Sequence, residues 1–228
     1  MQNMASYNVI HLVIWLTFLS LVQLPMPSHC ADPGPLQDFC VADLNSPLLV
    51  NGFPCKKPEN VTSNDFFFDG LQKLGTVFDF LNVNLTEVDV FAFPALNTLG
   101  MSMNRVQFHP GGENPPHIHP RATELSLVTE GKLFVGWVST AYILYWKILT
   151  AGQVFVIPPG LVHFQLNVGK GNALFYAFFN SQNPGISKLA PALFASTPLI
   201  PDPVLTTAFN VNKTIIDLIK SRASVLIP

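Results

Sequence analysis

The sequence contains few charged residues. Asp, Glu, Lys and Arg together make up 11% of its 228 residues, against about a quarter in an average protein. The formal net charge is −2 at pH 7, which gives no electrostatic basis for binding nucleic acid or an anionic membrane. We therefore expect no nucleic-acid partner. So little charge on a chain that is 49% hydrophobic also suggests that partner subunits or glycans cover much of the surface.

No lysine or arginine precedes the apolar run at residues 8–24. A membrane anchor is one interpretation of this run, although its length is borderline for a spanning helix. Its N-terminal position, the prolines after it and the small residues near Cys30 favour a secretory signal peptide at residues 1–30. Cleavage then follows Cys30 or Ala31. We expect a secreted protein with no membrane segment after cleavage.

Cysteine is scarce, with three in the chain. Removal of the signal peptide takes away Cys30 and leaves Cys40 and Cys55 in an oxidising compartment. An even pair there predicts a disulfide, and closing a loop of about 15 residues contributes on the order of 3 kcal/mol. The alternative is a pair of buried free thiols.

Three N-glycosylation sequons begin at Asn60, Asn84 and Asn212. Each has the Asn-X-Thr pattern that accepts an N-glycan in a secreted protein. Because such short patterns also arise by chance, we expect one or two of the three to be used.

The mature chain of about 200 residues suits one domain. Short apolar segments separated by Gly and Pro predict an all-β sandwich or barrel at residues 64–185. We expect segment 124–128 to pair with 132–138, and 154–157 to form a hairpin with 162–168. An irregular arm at 31–63 precedes the barrel. A segment at 186–228 follows it, with helical spacing at 191–195, 203–209 and 212–222.

Four residues have the chemistry of a metal site. His117 and His119 are two residues apart, so both imidazoles project from one face of an extended strand. Prolines on both sides disfavour a helix there. Glu124 adds a carboxylate, and His163 follows a Pro-Pro-Gly turn further along the chain. Of the four histidines beyond the signal peptide, the remaining one, His109, is interpreted as structural.

The same residues match two motifs of one superfamily. The first motif, G-x5-H-x-H-x4-E-x6-G, is met by Gly111, His117, His119, Glu124 and Gly131. The second motif, G-x5-P-x-G-x2-H-x3-N, is met by Gly152, Pro158, Gly160, His163 and Asn167. The two motifs, in this order and about 20 residues apart, resemble the cupin superfamily and most closely the germin-like proteins of plants. The resemblance extends over nearly the whole mature chain.

This resemblance implies a jelly-roll β-barrel with an N-terminal arm and short C-terminal helices. It also implies one manganese ion per subunit, held by His117, His119, Glu124 and His163. The expected partner is the chain itself, in a homo-hexamer built as a trimer of dimers whose C-terminal helices clasp their neighbours. The expected location is the extracellular space, in the apoplast or cell wall.

Three neutral imidazoles and one carboxylate leave two positions open on an octahedral ion. The donors alone favour copper, nickel or zinc over manganese, so manganese is an expectation from the resemblance. The first functional hypothesis is a manganese superoxide dismutase that produces hydrogen peroxide in plant defence or in the cell wall. The second is a non-catalytic wall glycoprotein or cupin that binds a small carboxylate.

Germins proper also oxidise oxalate. Two asparagines associated with that substrate in the family match Asn104 and Asn114, which are able to donate amide hydrogen bonds to a carboxylate. A purely structural role for both is an equally weighted alternative. Oxalate oxidation is therefore not predicted as the main activity.

Overall fold

A computed structural model of the chain describes residues 37–50 and 52–223, together with Val13 and Trp15. The predicted signal peptide at residues 1–30 lies outside the described residues apart from those two. Within the described part, no helix is both long and apolar enough to cross a membrane.

The described part of the chain is built mainly from eleven β-strands. They are β1 (Thr76–Phe78), β2 (Val83–Val88), β3 (Ser102–Phe108), β4 (Glu113–Ile118), β5 (Glu124–Glu130), β6 (Lys132–Val138), β7 (Leu144–Thr150), β8 (Val154–Ile157), β9 (Val162–Asn167), β10 (Ala173–Phe179) and β11 (Ser187–Lys188). Five short 3-10 helices lie among the described residues, at Pro58–Asn60, Ser63–Phe66, Gly70–Gln72, Asp79–Leu81 and Pro94–Leu96.

The strands form two antiparallel sheets. One sheet has six strands in the order β1-β2-β3-β10-β5-β8, and the other has five in the order β11-β4-β9-β6-β7. Neighbours in each sheet are often far apart in sequence, as in a jelly roll, where successive strands alternate between two packed sheets. The predicted all-β jelly roll is confirmed.

Two predicted strand pairings are wrong. β5 lies in the six-stranded sheet and pairs with β10 and β8, whereas β6 lies in the five-stranded sheet and pairs with β7 and β9. β8 and β9 are divided between the sheets in the same way. The chain crosses from β5 to β6 at Gly131, whose φ is +78° and where a Cβ would lie 2.5 Å from the carbonyl oxygen of Asn172. The turn at Gly131 therefore takes the chain from one sheet to the other, although a short glycine turn of this kind is also typical of a hairpin.

The hydrophobic core fills the space between the two sheets. Alternate residues of β5 and β10 face inward, and Phe108, Val128, Leu133 and Val135 have no exposed surface. Phe108 meets Phe175 of the neighbouring strand edge to face, with ring centroids 6.1 Å apart. Burying each such side chain contributes about 1.5–3 kcal/mol, so the core stabilises the frame that positions the polar site.

The N-terminal arm is joined by a disulfide between Cys40 and Cys55, which confirms the predicted pairing. Cys40 is buried, and Ala42, two residues later, forms an isolated bridge with Cys55. The amide of Ala42 donates a hydrogen bond to the carbonyl of Pro94 (2.9 Å). The arm is therefore attached to the barrel by backbone contacts as well as by the crosslink.

Three helices follow the barrel, close to the three predicted segments. They are α1 (Leu189–Phe194), α2 (Asp202–Phe209) and α3 (Lys213–Ala223). Their buried residues form a second, smaller cluster of Phe194, Leu205, Ile216 and Ala223. The Asn212 side chain caps α3 by accepting a hydrogen bond from the Ile215 amide (3.1 Å).

One of the three sequons is incompatible with this fold. Asn84 lies within β2 and is 4% exposed, and its side-chain amide is 3.5 Å from Nε2 of His109. A glycan has no room there, because the side chain points into packed structure. Asn60 and Asn212 are exposed and stay predicted sites.

Candidate metal centre

The four predicted ligand side chains meet inside the barrel. One donor atom from each of His117, His119, Glu124 and His163 lies within 4.8 Å of the other three, and each residue is 5% exposed or less. His117 on β4 is directly opposite His163 on β9, and opposed residues in an antiparallel pair project from the same face. His119 follows β4, and Glu124 begins β5 in the other sheet. Both sheets therefore contribute to the cluster.

Backbone carbonyls fix the orientation of all three imidazoles. The Nδ1 atoms of His117, His119 and His163 donate hydrogen bonds to the carbonyl oxygens of Pro115 (2.8 Å), Gly185 (2.5 Å) and Leu161 (2.9 Å) respectively. A proton placed on Nδ1 leaves Nε2 with a free lone pair. This is the tautomer in which a histidine ligates a metal through Nε2.

The carboxylate of Glu124 is also held in one orientation. Its Oε2 lies 3.2 Å from Nε2 of His119 and 3.3 Å from Nε2 of His163. Its Oε1 accepts hydrogen bonds from the Ser126 hydroxyl (2.7 Å) and the Gln165 amide (3.3 Å). One oxygen therefore faces the imidazoles while the other is bound to protein groups.

Burial and neighbouring groups keep His117 and Glu124 in the protonation states that a bound cation requires. Burial lowers the pKa of His117 to about 3, with a further contribution from the neighbouring His163 and His119. Burial acts to raise the pKa of Glu124, but the neighbouring His119 and His163 outweigh it and the pKa is lowered. At neutral pH the His117 ring is therefore uncharged and able to ligate a metal, and the Glu124 carboxylate is an anion.

The residues fit a divalent cation. Nε2 of His163 is buried and has no hydrogen-bond partner, and a buried polar atom left in this state costs about 1–3 kcal/mol. A cation bound between the four donor atoms satisfies that lone pair and balances the carboxylate. The set of three nitrogens and one oxygen suits a transition-metal ion, including manganese, without selecting one.

A loop 66 residues later in the sequence holds His119 in place. The loop carries Gly185, and the Arg121 side chain holds it by donating from Nε to the carbonyl of Asn183 (2.8 Å). Gly185 has φ of +63°, and a Cβ there would lie 2.6 Å from the Arg121 guanidinium. A glycine is therefore needed where the loop passes Arg121 and presents its carbonyl to His119.

A small cavity of about 40 Å³ adjoins the cluster. One water needs about 10–15 Å³ measured in this way, so the cavity admits a molecule of a few non-hydrogen atoms. Its lining includes His119 and Glu124 together with Asn104 and Asn114. Nδ2 of Asn114 is 3.4 Å from Nε2 of His117. The structure thus places both predicted asparagines beside the cluster.

Sequence reasoning missed Ser126 and Gln165. Each lies two residues after a predicted ligand on the same strand, Ser126 after Glu124 and Gln165 after His163. The alternation of side chains along a strand puts such residues on one face, so the signal was present. The role of Gly185 gave no local signal, because it arises from a contact 66 residues away.

Comparison with known proteins identifies the family. A family model described as cupin matches residues 70–217. The chain is 51% identical to germin-like protein 1-1 of Oryza sativa subsp. japonica over 89% of this chain and 93% of that protein. It is 49% identical to germin-like protein subfamily T member 2 of Arabidopsis thaliana over 88% of this chain and 90% of the relative.

A solved structure also matches this chain closely. An oxalate oxidase in complex with the substrate analogue glycolate is 49% identical, with a TM-score of 0.82 over 85% of this chain and 98% of the other. Sequence, fold and buried cluster agree, and the chain belongs to the germin-like proteins of the cupin family.

Proposed function

We propose that this chain is a secreted, manganese-binding oxidoreductase of superoxide-dismutase type that releases hydrogen peroxide in the apoplast or cell wall. The observation that carries this proposal is the convergence of three Nε2 lone pairs and one carboxylate oxygen beside a cavity. A purely structural site has no need of a cavity at its metal. The peroxide would serve plant defence or wall cross-linking.

A manganese ion held by His117, His119, Glu124 and His163 would supply a one-electron couple between its divalent and trivalent states, by which two superoxide anions and two protons would give hydrogen peroxide and dioxygen. The protein supplies the geometry. Backbone carbonyls keep the imidazoles in one tautomer, and the hydroxyl of Ser126 holds Glu124. The apolar walls of the cavity, with Val106 and Phe175 among them, exclude bulk water. The amide of Asn114 is able to donate a hydrogen bond to an anion that enters.

Oxidation of oxalate is the second candidate function. Two observations favour it, namely Asn104 and Asn114 in the cavity wall and the likeness to an oxalate oxidase bound to glycolate. The reaction would convert oxalate, dioxygen and two protons into two molecules of carbon dioxide and one of hydrogen peroxide. Both candidates yield peroxide, but they differ in substrate. A non-catalytic cupin that only binds a small carboxylate is the alternative to both.

The test compares the secreted wild-type protein with His163→Ala and with the control His109→Ala. His109 contacts Asn84 and Asn172 rather than the cluster. We expect wild type and the control to contain manganese and to consume superoxide, and His163→Ala to lose both properties. Oxalate turnover is assayed on the same samples. Wild-type protein that holds metal but consumes neither substrate would support the non-catalytic alternative, and wild type without metal would refute the proposal.

Processing and assembly form part of the same proposal. We infer cleavage after residue 30 or 31, glycans on Asn60 and Asn212, and a homo-hexamer made as a trimer of dimers. The inferred organisation is an arm at 31–63, a barrel at 64–185 and a helical segment at 186–228. Mass spectrometry of the secreted protein tests the cleavage and both glycans. An intact apolar run at its N-terminus would contradict secretion by signal cleavage.

A further inference from the structure

The cavity beside the metal cluster runs from the centre of the barrel to the edges of the two sheets. Its inner wall comes from central strands, where Val106, Phe175 and Ala177 are 6% exposed or less. Its outer wall comes from the edge strands β1 and β11, which contribute Phe78 and Lys188, both partly exposed. The side of the cavity nearest to solvent therefore lies between these two edges.

Phe78 and Lys188 meet across this side of the cavity. Nζ of Lys188 lies 4.9 Å from the ring centroid of Phe78, which is in contact range for a cation on an aromatic face. Because Phe78 belongs to the six-stranded sheet and Lys188 to the five-stranded sheet, the contact joins the two sheets. A ligand that approaches the cluster between the two edges must pass both side chains.

The charge of Lys188 is offset in this region. Glu87 acts electrostatically on Lys188 and on His119. The Cα partner of Glu87 on β3 is Asn104, a residue of the cavity wall, and opposed residues in an antiparallel pair project from the same face. The outer side of the cavity therefore combines a cation with an aromatic ring and a carboxylate, which gives no basis for selecting ligands by the sign of their charge.

The space behind this contact is small. The cavity of about 40 Å³ has room for about three waters. A diatomic anion such as superoxide fits this space, whereas oxalate, with its two carboxyl groups, requires Phe78 or Lys188 to move. Because that movement breaks the contact between the cation and the ring, its cost lowers the apparent affinity for the larger ligand.

We propose that Phe78 is a specificity-determining residue that, with Lys188 packed on its ring, closes the cavity and admits ligands by size rather than by charge. This inference rests on the proposed function in so far as the site is taken to act on superoxide. It goes further by assigning the preference for superoxide over oxalate to one contact between β1 and β11. Opening this contact admits larger ligands and leaves the metal cluster unchanged.

Support of the hydrophobic core is the competing explanation for Phe78. Its side chain also packs against the core between the sheets, so Phe78→Ala lowers stability under either explanation. Lys188→Ala removes the other half of the contact from the opposite sheet, and Phe78→Tyr retains the aromatic ring. The matched control is Phe80→Ala, because Phe80 lies two residues away, is 73% exposed and is not part of the cavity wall.

The experiment compares the binding of two monoanions of different size, formate and glycolate, by calorimetry on metal-loaded full-length protein. Phe78→Ala and Lys188→Ala should each tighten glycolate binding by about 3- to 30-fold, while formate binding stays near wild type. The double variant should gain little more than either single variant, because both substitutions remove the same contact. Phe78→Tyr and Phe80→Ala should bind both anions as wild type does. Metal content should be equal in all variants.

The outcomes of this experiment are distinct from those of the functional test. Unchanged glycolate affinity in either alanine variant at Phe78 or Lys188, or an equal gain for formate, would overturn the inference and leave the proposed function standing. A Phe78→Tyr variant that behaves like Phe78→Ala would also overturn it, as would wild type that binds neither anion. Wild type that does not consume superoxide, but whose two alanine variants tighten glycolate binding alone, would overturn the proposed function and not the role of Phe78.

Discussion

The hydroxyl of Ser126 determines which oxygen of Glu124 faces the three imidazoles. It has no exposed surface and donates to Oε1 at 2.7 Å, which leaves Oε2 to face His119 and His163. Partners that orient metal-ligating groups typically change metal affinity by about 10- to 100-fold when they are removed. Ser126 is thus a positioning residue for the carboxylate.

Ser126→Ala should therefore weaken metal binding by about 10- to 100-fold, as measured by competition with a chelator. The matched control is Ser102→Ala, because Ser102 is also buried and donates to a backbone carbonyl, that of Ser181, at 2.7 Å. The control should lose stability without losing metal affinity. Equal metal affinity in both variants would show that Glu124 does not depend on Ser126.

The lowered pKa of His117 predicts how the metal-free protein responds to acid. Between about pH 6.5 and pH 3 the unfolded chain binds a proton at this ring that the folded chain does not. The free energy of unfolding should therefore fall as the pH is lowered through this range, by on the order of a few kcal/mol in total. The lowered pKa of Glu124 adds a loss of the same sign below about pH 4.5.

Urea unfolding of metal-free protein at a series of pH values measures this effect. The variant His117→Gln lacks the titrating ring and should show a shallower decline than wild type. Identical slopes for the two proteins would mean that the folded state accepts the proton on His117 as readily as the unfolded chain does.

The metal-ligand residues could be predicted from the sequence more easily than the groups that hold them in place. The spacing of His117 and His119, and the matching position of His163, follow from the alternation of side chains along strands. The carbonyl of Gly185 reaches the site through a contact between distant segments. No local pattern encodes such contacts, so they required the structure.

At the scale of elements, strand positions were predicted better than strand partners. Apolar alternation and turn residues locate a strand, since they depend on neighbours in sequence. Pairing depends on which sheet a strand joins, and β5 and β6 show that a short glycine turn serves equally well as a corner between sheets. Glu124 and His163 therefore come from opposite sheets rather than from two hairpins.

The disulfide in the arm predicts a stability effect that is separate from the metal. Replacing both Cys40 and Cys55 with alanine should lower the free energy of unfolding by about 3 kcal/mol, because the crosslink closes a loop of about 15 residues. Denaturant unfolding measures the change, and wild type treated with reductant is the control. Metal content at neutral pH should be retained. Unchanged stability would show that the disulfide does not stabilise the fold. Loss of metal from a folded variant would show that the arm and the metal site are not independent.

At the scale of the whole molecule, the outer face of the five-stranded sheet is unusually apolar. Trp146 and Ile148 on β7 are 54% and 46% exposed. Ile148 is directly opposite Phe134 of β6, whose ring meets that of Trp146 edge to face at 5.2 Å. An apolar face of this kind, on a chain with little charge, favours burial against another copy of the chain.

Ile148→Glu should therefore shift the protein to a smaller assembly, because a carboxylate in an apolar contact is costly to desolvate. Sedimentation equilibrium measures the mass. Lys170→Glu, in the loop between β9 and β10, is the control for added negative charge and should leave the assembly intact. An unchanged mass for Ile148→Glu would place the subunit contact elsewhere.

The most direct test of the central claim is anomalous X-ray diffraction from crystals of the secreted protein, measured at the manganese edge. We expect one peak per subunit, within about 2.0–2.6 Å of Nε2 of His117, His119 and His163 and of Oε2 of Glu124. A peak bound by other residues, or no peak in protein that has never met a chelator, would contradict it.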